Sequence, residues 1–203
     1  MKKMLNRSLI FILALAMLTA LSACGNDKAQ TTQAKRDKVK VEMQGGGSFV
    51  IELYPEYAPE TVANFKSLVS DGFYDGLTFH RIVDGFMAQG GDPEGTGMGS
   101  SEKTIKGEFA ANGFKKNTLS HTRGVISMAR SNNFDSASSQ FFICYDDASF
   151  LDGQYAAFGK VVEGMEVIDG FLKVERTANS MGEKATPVTP VVMEKVTIIS
   201  DDK

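Results

Sequence analysis

A chain of 203 residues with 42% hydrophobic and 23% charged side chains has room for one globular domain plus an appendage, and its composition excludes an extended disordered protein. A formal charge of −3 excludes nucleic-acid binding built on broad positive charge. Two cysteines, Cys24 and Cys144, are too few for a disulfide scaffold.

The first segment reads as an address. Lys2, Lys3 and Arg7 are followed by an almost unbroken apolar run from Leu9 to Leu21, 13 residues long. A spanning helix needs about 20 apolar residues, so this run suits the apolar region of a signal peptide better than a membrane span. Leu21-Ser22-Ala23-Cys24-Gly25 resembles a bacterial lipobox, which is cut before the cysteine. The expectation is a signal peptide over 1–23 and lipidation (palmitate included) at Cys24. A tether over 24–38 has no large apolar residue between Asn26 and Lys38 to bury. Acyl chains would anchor the protein extracytoplasmically to a bacterial membrane, at the cell surface or facing a periplasm. Removing residues 1–23 leaves 19 basic against 25 acidic side chains, a formal charge of −6.

The folded domain is expected over 39–199, with a tail at 200–203. Val39-Lys40-Val41-Glu42-Met43 alternates as a half-buried strand does. Gly45-Gly46-Gly47 turns the chain into a second strand over 48–54, giving a hairpin. Pro59 opens a helix, because a proline in the first turn loses no hydrogen bond. Val62, Phe65, Leu68 and Val69 form its apolar face, and Gly72 ends it. Further strands are predicted at 78–83, 86–89, 124–129, 140–144, 156–162 and 191–199, with a second helix over 165–172. Many short strands with two separated helices fit a mainly β barrel or sandwich with helical caps, and periodicity does not choose between them.

Ordered blocks narrow that choice. They are Phe-His-Arg-Ile, Gly-Phe-Met and Gln-Gly-Gly-Asp within 79–92, Gly-Val-Ile-Ser-Met-Ala (124–129), Ser-Gln-Phe-Phe-Ile (139–143), Leu-Asp-Gly (151–153) and Phe-Gly-Lys-Val (158–161). Together they resemble the cyclophilin family of peptidyl-prolyl cis–trans isomerases, from about Val39 to Ile199. The resemblance implies a closed eight-stranded antiparallel barrel capped by two α-helices. It implies no cofactor and no metal, with proline-containing unfolded or partly folded polypeptides as substrates and a monomer as the working unit. Carried over by position, Arg81 is the catalytic arginine and Gln89 the polar residue beside it. Phe86, Met87, Phe142 and Leu151 form the proline pocket. Ala129 and Arg130 lie in the peptide-binding segment, and Gln140 lines the same groove. Phe150 stands where many eukaryotic members carry Trp, and Tyr155 where they carry a groove His. The stretch 130–138 departs from the eukaryotic pattern.

The chemistry of these residue types agrees. Rotation about an X–Pro bond meets a barrier of about 18–20 kcal/mol because resonance stiffens the C–N bond. In the twisted state the prolyl nitrogen regains a lone pair. A guanidinium, a donor that does not deprotonate in proteins, can stabilise that state over both planar ones. No nucleophile, general base or metal is required. Two other classes share these features: a scaffold that binds proline-containing partners without useful turnover, and a lipoprotein whose domain serves adhesion or assembly.

The remaining chemistry-bearing residues read as structural. In a regular strand His80 points away from the face of Arg81, and Phe141 points away from Phe142 into the core. His121 reads as a loop residue and Cys144 as a buried small hydrophobe. These residues lack metal-ligand spacing. Gly95-Thr96-Gly97-Met98-Gly99 lacks the Gly-Lys-Ser/Thr of a phosphate loop and reads as a tight loop near the groove.

Overall fold

The expected alternation is realised first in β1 (Lys38–Met43), where Val39, Val41 and Met43 are buried. The computed structural model describes residues 36–179 and 182–199. The expected signal peptide, Cys24, the tether up to residue 35 and the tail 200–203 lie outside the described residues. The ion pairs extend upstream of β1. Arg36 binds Glu56 and Glu52 and lies 4.3 Å over the Tyr54 ring, and Asp37 pairs with Lys66.

β2 (Ser48–Leu53) returns antiparallel to β1. α1 (Pro59–Ser70) follows and buries Thr61, Val62, Phe65 and Val69. Its N-cap residue, Ala58, has no side-chain acceptor to offer. The carboxylate of Glu108, 47 residues beyond Thr61, takes that role. It accepts from Glu60 N at 3.0 Å, and from Thr61 N and Thr61 Oγ1 at 2.7 Å each. An anion at this end also suits the positive pole of the helix dipole.

Next come β3 (Thr78–Val83), β4 (Met87–Asp92), β5 (Val125–Met128), β6 (Phe141–Cys144) and β7 (Ala157–Glu163). α2 (Met165–Gly170) runs into a 3-10 turn, Phe171–Lys173. A small hairpin, β8 (Arg176–Ala178) and β9 (Lys184–Pro187), precedes β10 (Met193–Ile199). The sequence gives no sign of this hairpin, since its short, largely exposed strands carry no apolar alternation.

The main sheet is antiparallel throughout, in the order β10-β1-β2-β7-β5-β6-β4-β3. It curls until its outer strands approach, but the seam is narrower than a fully closed barrel implies. β3 and the residues just before β10 share one bridge, Thr78 with Val192, and a few backbone bonds such as Phe79 N to Val191 O at 2.9 Å. The fold is the expected mainly β, eight-stranded cyclophilin-like one, with two helices and a half-barrel's partial closure.

Aromatic rings fill the interior. Phe141 meets Phe65, Tyr74 and Phe79 edge-on at 5.6–5.9 Å, confirming that it faces away from Phe142. The chain passes Phe141 closely at Gly91, where φ is +82° and a Cβ would stand 2.5 Å from Ser139 O. Only glycine fits there.

Candidate active site

Strand pairing aligns the site. Arg81 on β3 lies opposite Gln89 on β4, Gln89 opposite Phe142 on β6, and Phe142 opposite Ser127 on β5. These four residues form one row across four strands on the outer face of the sheet. Their strand neighbours Ile82, Ala88, Phe141 and Ile126 belong to the core.

A bulge sets the aim of Arg81. Phe79 and Ile82, three residues apart, both join the same core cluster, whereas a regular strand would send them to opposite faces. The register shifts between Phe79 and Arg81, and His80 is left without a partner across the ladder. The simple alternation expected around His80 therefore fails locally. The extra residue puts Arg81 on the same face as Gln89, a common use of bulges beside sites. Both ring nitrogens of His80 are buried without a hydrogen-bond partner. Burial lowers its pKa below the ordinary histidine value.

Ten of the eleven residues expected at the site surround one cavity of about 380 Å³: Arg81, Phe86, Met87, Gln89, Ala129, Arg130, Phe142, Phe150, Leu151 and Tyr155. Gln140 lines an adjoining cavity of about 330 Å³, which shares Gln89, Ala129 and Arg130 with the first. The floor of the first is apolar. Met87, Phe142, Cys144, Ala148 and Leu151 pack together there, with Phe86 and Tyr155 against them. Phe142 and Tyr155 meet edge-on at 6.0 Å. A 3-10 turn, Ser149–Leu151, sinks Leu151 into this cluster and leaves Phe150 66% exposed, its ring 5.7 Å from Phe86. Cys144 lies beneath, and burial pushes its thiol up to about 12, so it is inert at neutral pH.

The polar wall is a directed chain of hydrogen bonds. Arg81 Nη1 donates to Gln89 Oε1 at 3.3 Å, and Gln89 Nε2 donates to Gln140 Oε1 at 2.8 Å. Gln140 Nε2 then donates to the carbonyls of Gly97 at 3.1 Å and Gly99 at 2.7 Å. This chain fixes the orientation of both amides and ties the Gly95–Gly99 loop to the groove, where that loop was expected. Arg130 plays a part its position alone did not suggest. Its guanidinium lies 4.5–5.1 Å from the rings of Phe109, Phe134 and Tyr155 and donates to the carbonyls of Ser131 and Gln154. It holds the groove rim together.

Two features escaped sequence reasoning. Glu183 binds Arg81 through both carboxylate oxygens, at 2.7 and 3.0 Å. Hydrogen bonding to Arg81 holds its carboxyl below the usual range. It belongs to no recognised block. His121 is a loop residue, as expected, but fully buried. Its Nδ1 meets Asp152 Oδ1 at 2.7 Å and its Nε2 meets Ser127 Oγ at 3.0 Å. Burial lowers the His121 pKa, the Asp152 contacts oppose this, and the net shift is downward. For Asp152 burial pushes upward, but bonds from Ser120 and His121 outweigh it and lower the pKa. Among the described residues no group of three or more His, Cys, Asp and Glu side chains is placed to hold a metal ion.

Comparison with known proteins agrees in sequence and in fold. Residues 38–198 match the family model described as cyclophilin type peptidyl-prolyl cis-trans isomerase/CLD. Peptidyl-prolyl cis-trans isomerase B of Bacillus subtilis (strain 168) is 47% identical over 124 residues, covering 61% of this chain and 82% of that protein. A peptidyl-prolyl cis-trans isomerase of Acinetobacter baylyi is 43% identical over 168 residues, covering 79% and 85%. Among solved structures, a Cryptosporidium parvum cyclophilin type peptidyl-prolyl cis-trans isomerase, crystallised in the presence of the dipeptide Ala-Pro, superposes with a TM-score of 0.69. It is 28% identical and covers 81% of this chain and 99% of the other.

Proposed function

This chain belongs to the cyclophilin-type peptidyl-prolyl cis–trans isomerase family and is such an isomerase, and from that premise we propose that it accelerates X–Pro rotation in extracytoplasmic proteins, through Arg81 and an apolar proline pocket, while tethered to a membrane by Cys24. The observation that carries the mechanism is the single cavity in which Arg81 and Gln89 adjoin Phe86, Met87, Phe142 and Leu151. The proline ring enters the apolar cluster and is held there while the chain on the other side of the bond turns. Arg81 donates to the prolyl nitrogen as its lone pair reappears. Gln89 accepts from Nη1 and steadies the guanidinium. Binding is non-covalent, and the gain lies in the twisted state, because neither planar isomer offers that lone pair. Main-chain groups of Ala129 and Arg130, just beyond the end of β5, bind the peptide backbone, and Gln140, Phe150 and Tyr155 border the groove.

The test is peptide turnover in a protease-coupled proline assay. Arg81→Ala is expected to keep the fold and lose about 3 kcal/mol of transition-state stabilisation, over a hundredfold in rate. Arg81→Lys rescues poorly, lacking the planar fork. Near wild-type turnover in folded Arg81→Ala would remove the arginine from the mechanism.

The location rests on the sequence order of basic start, short apolar run, small residues and Cys24. Expressed with residues 1–23, the protein is expected to partition with membranes and to label with a fatty-acid probe. Labelling that persists in Cys24→Ser would refute the anchor.

A further inference from the structure

Two groups from distant parts of the chain hold the Arg81 guanidinium. Gln89 is its neighbour across the strand pair. Glu183 is 102 residues away, in the turn between β8 and β9. The Glu183 carboxylate takes Nε–H at 2.7 Å and Nη2–H at 3.0 Å. Side-on pairing of this kind fixes the plane of the guanidinium as well as its place, because rotation about Cδ–Nε breaks both bonds at once. The side chains are 25% and 30% exposed. A pair this wet adds little to fold stability, so its main effect is to order a long side chain at the groove wall.

The turn is built to present that carboxylate. Asn179 N donates to Glu183 O at 2.8 Å, Glu183 N donates to Asn179 Oδ1 at 3.0 Å, and Asn179 Nδ2 donates to Glu183 Oε2 at 3.0 Å. The hairpin in turn is tied to β3. Arg176 Nη1 donates to Ile82 O at 3.2 Å, and Ala185 is fully buried. Ile82 follows Arg81 directly, so the strand that carries the arginine also anchors the hairpin that holds it.

Resting on the reading of Arg81 as donor to the prolyl nitrogen, we infer that Glu183 is a positioning residue for that donor. It occupies the Nε edge and leaves Nη1 toward the pocket, beside Gln89 Oε1 at 3.3 Å and Met87 Sδ at 3.9 Å. A donor oriented before the substrate arrives needs no reorganisation as the bond turns. Glu183 acts on the rate of rotation and not on capture of the proline ring, which the apolar cluster performs without it.

The experiment is a double-mutant cycle on Arg81 and Glu183 with exchange-NMR turnover of a proline peptide. Glu183→Ala is expected to lower kcat roughly tenfold with KM nearly unchanged. Glu183→Asp recovers part of the loss, and Glu183→Gln, whose amide N–H₂ opposes the guanidinium, recovers less. In the Arg81→Ala background, Glu183→Ala has no further effect, as coupled residues require. The Arg81 Nε–H resonance, protected from exchange in the parent, becomes unprotected in Glu183→Ala, while thermal melting confirms the fold. Unchanged or raised kcat in folded Glu183→Ala, or equal losses with and without Arg81, overturns the role of Glu183. If Arg81→Ala is slow in the same series, the donor reading survives that failure. If Arg81→Ala turns over normally, both fall.

Discussion

The imidazole of His121 lies against the ring of Phe142, 6.0 Å between centroids and 15° from parallel. A buried histidine, bonded at both nitrogens, thus backs the apolar floor of the cavity. Asp152 takes Nδ1–H, which leaves Nε2 to accept from Ser127 Oγ in the neutral ring.

This arrangement sets a pH window for stability. His80 and His121 both have pKa values lowered in the fold, chiefly by burial. Below the ordinary histidine value, about 6.5, the unfolded chain binds protons that the fold does not. Stability is therefore full above that pH and falls as pH drops toward the lowered folded values, by at most about 1.4 kcal/mol per pH unit for each histidine. Urea midpoints at pH 7.5 and 5.5 are expected to differ, the lower pH being less stable. His80→Leu, which removes a ring without hydrogen-bond partners, should reduce the difference, leaving the part due to His121. Equal midpoints at the two pH values would contradict the prediction.

Glu108 is 3% exposed and accepts three hydrogen bonds at the first turn of α1. Glu108→Ala leaves the buried Thr61 N–H and hydroxyl, and the part-buried Glu60 N–H, without their acceptor. The expected loss is about 2–3 kcal/mol, a fall in Tm of roughly 4–12 °C for a domain of this size. Turnover at low temperature should persist, because no residue of α1 lines either cavity. A Tm within a degree of the parent would mean that water replaces the carboxylate.

Phe150 is an exposed aromatic at the edge of the cavity. Eukaryotic members with Trp at this position bind the cyclic peptide cyclosporin tightly, and Phe has no indole N–H to donate. Affinity is expected to be about tenfold to a hundredfold weaker here, the equivalent of one lost contact worth about 1–3 kcal/mol. Phe150→Trp should tighten inhibition more than it raises peptide turnover, since the pocket beneath is unchanged. Inhibitor titration of the two proteins side by side decides it, and tight inhibition of the parent would show that position 150 does not set affinity.

The strands from Lys38 to Leu53, helix α1 and the core role of Phe141 were legible in the sequence, because period and turn chemistry act over a few residues. The residues that surround the cavity were legible through ordered blocks, which the strand register then set side by side. Four things were decided only in three dimensions. One is the bulge at His80, which breaks the alternation that a linear reading assumes. Another is the narrow seam between β3 and β10, which depends on how far eight strands curl. The third is the pairing of His121 with Asp152, 31 residues apart. The last is the choice of Glu183 for Arg81. The sequence offers 25 acidic side chains, and nothing in an acidic residue's neighbours names its partner. An ion pair is selected by distance, and distance across 102 residues is set by the path of the whole sheet.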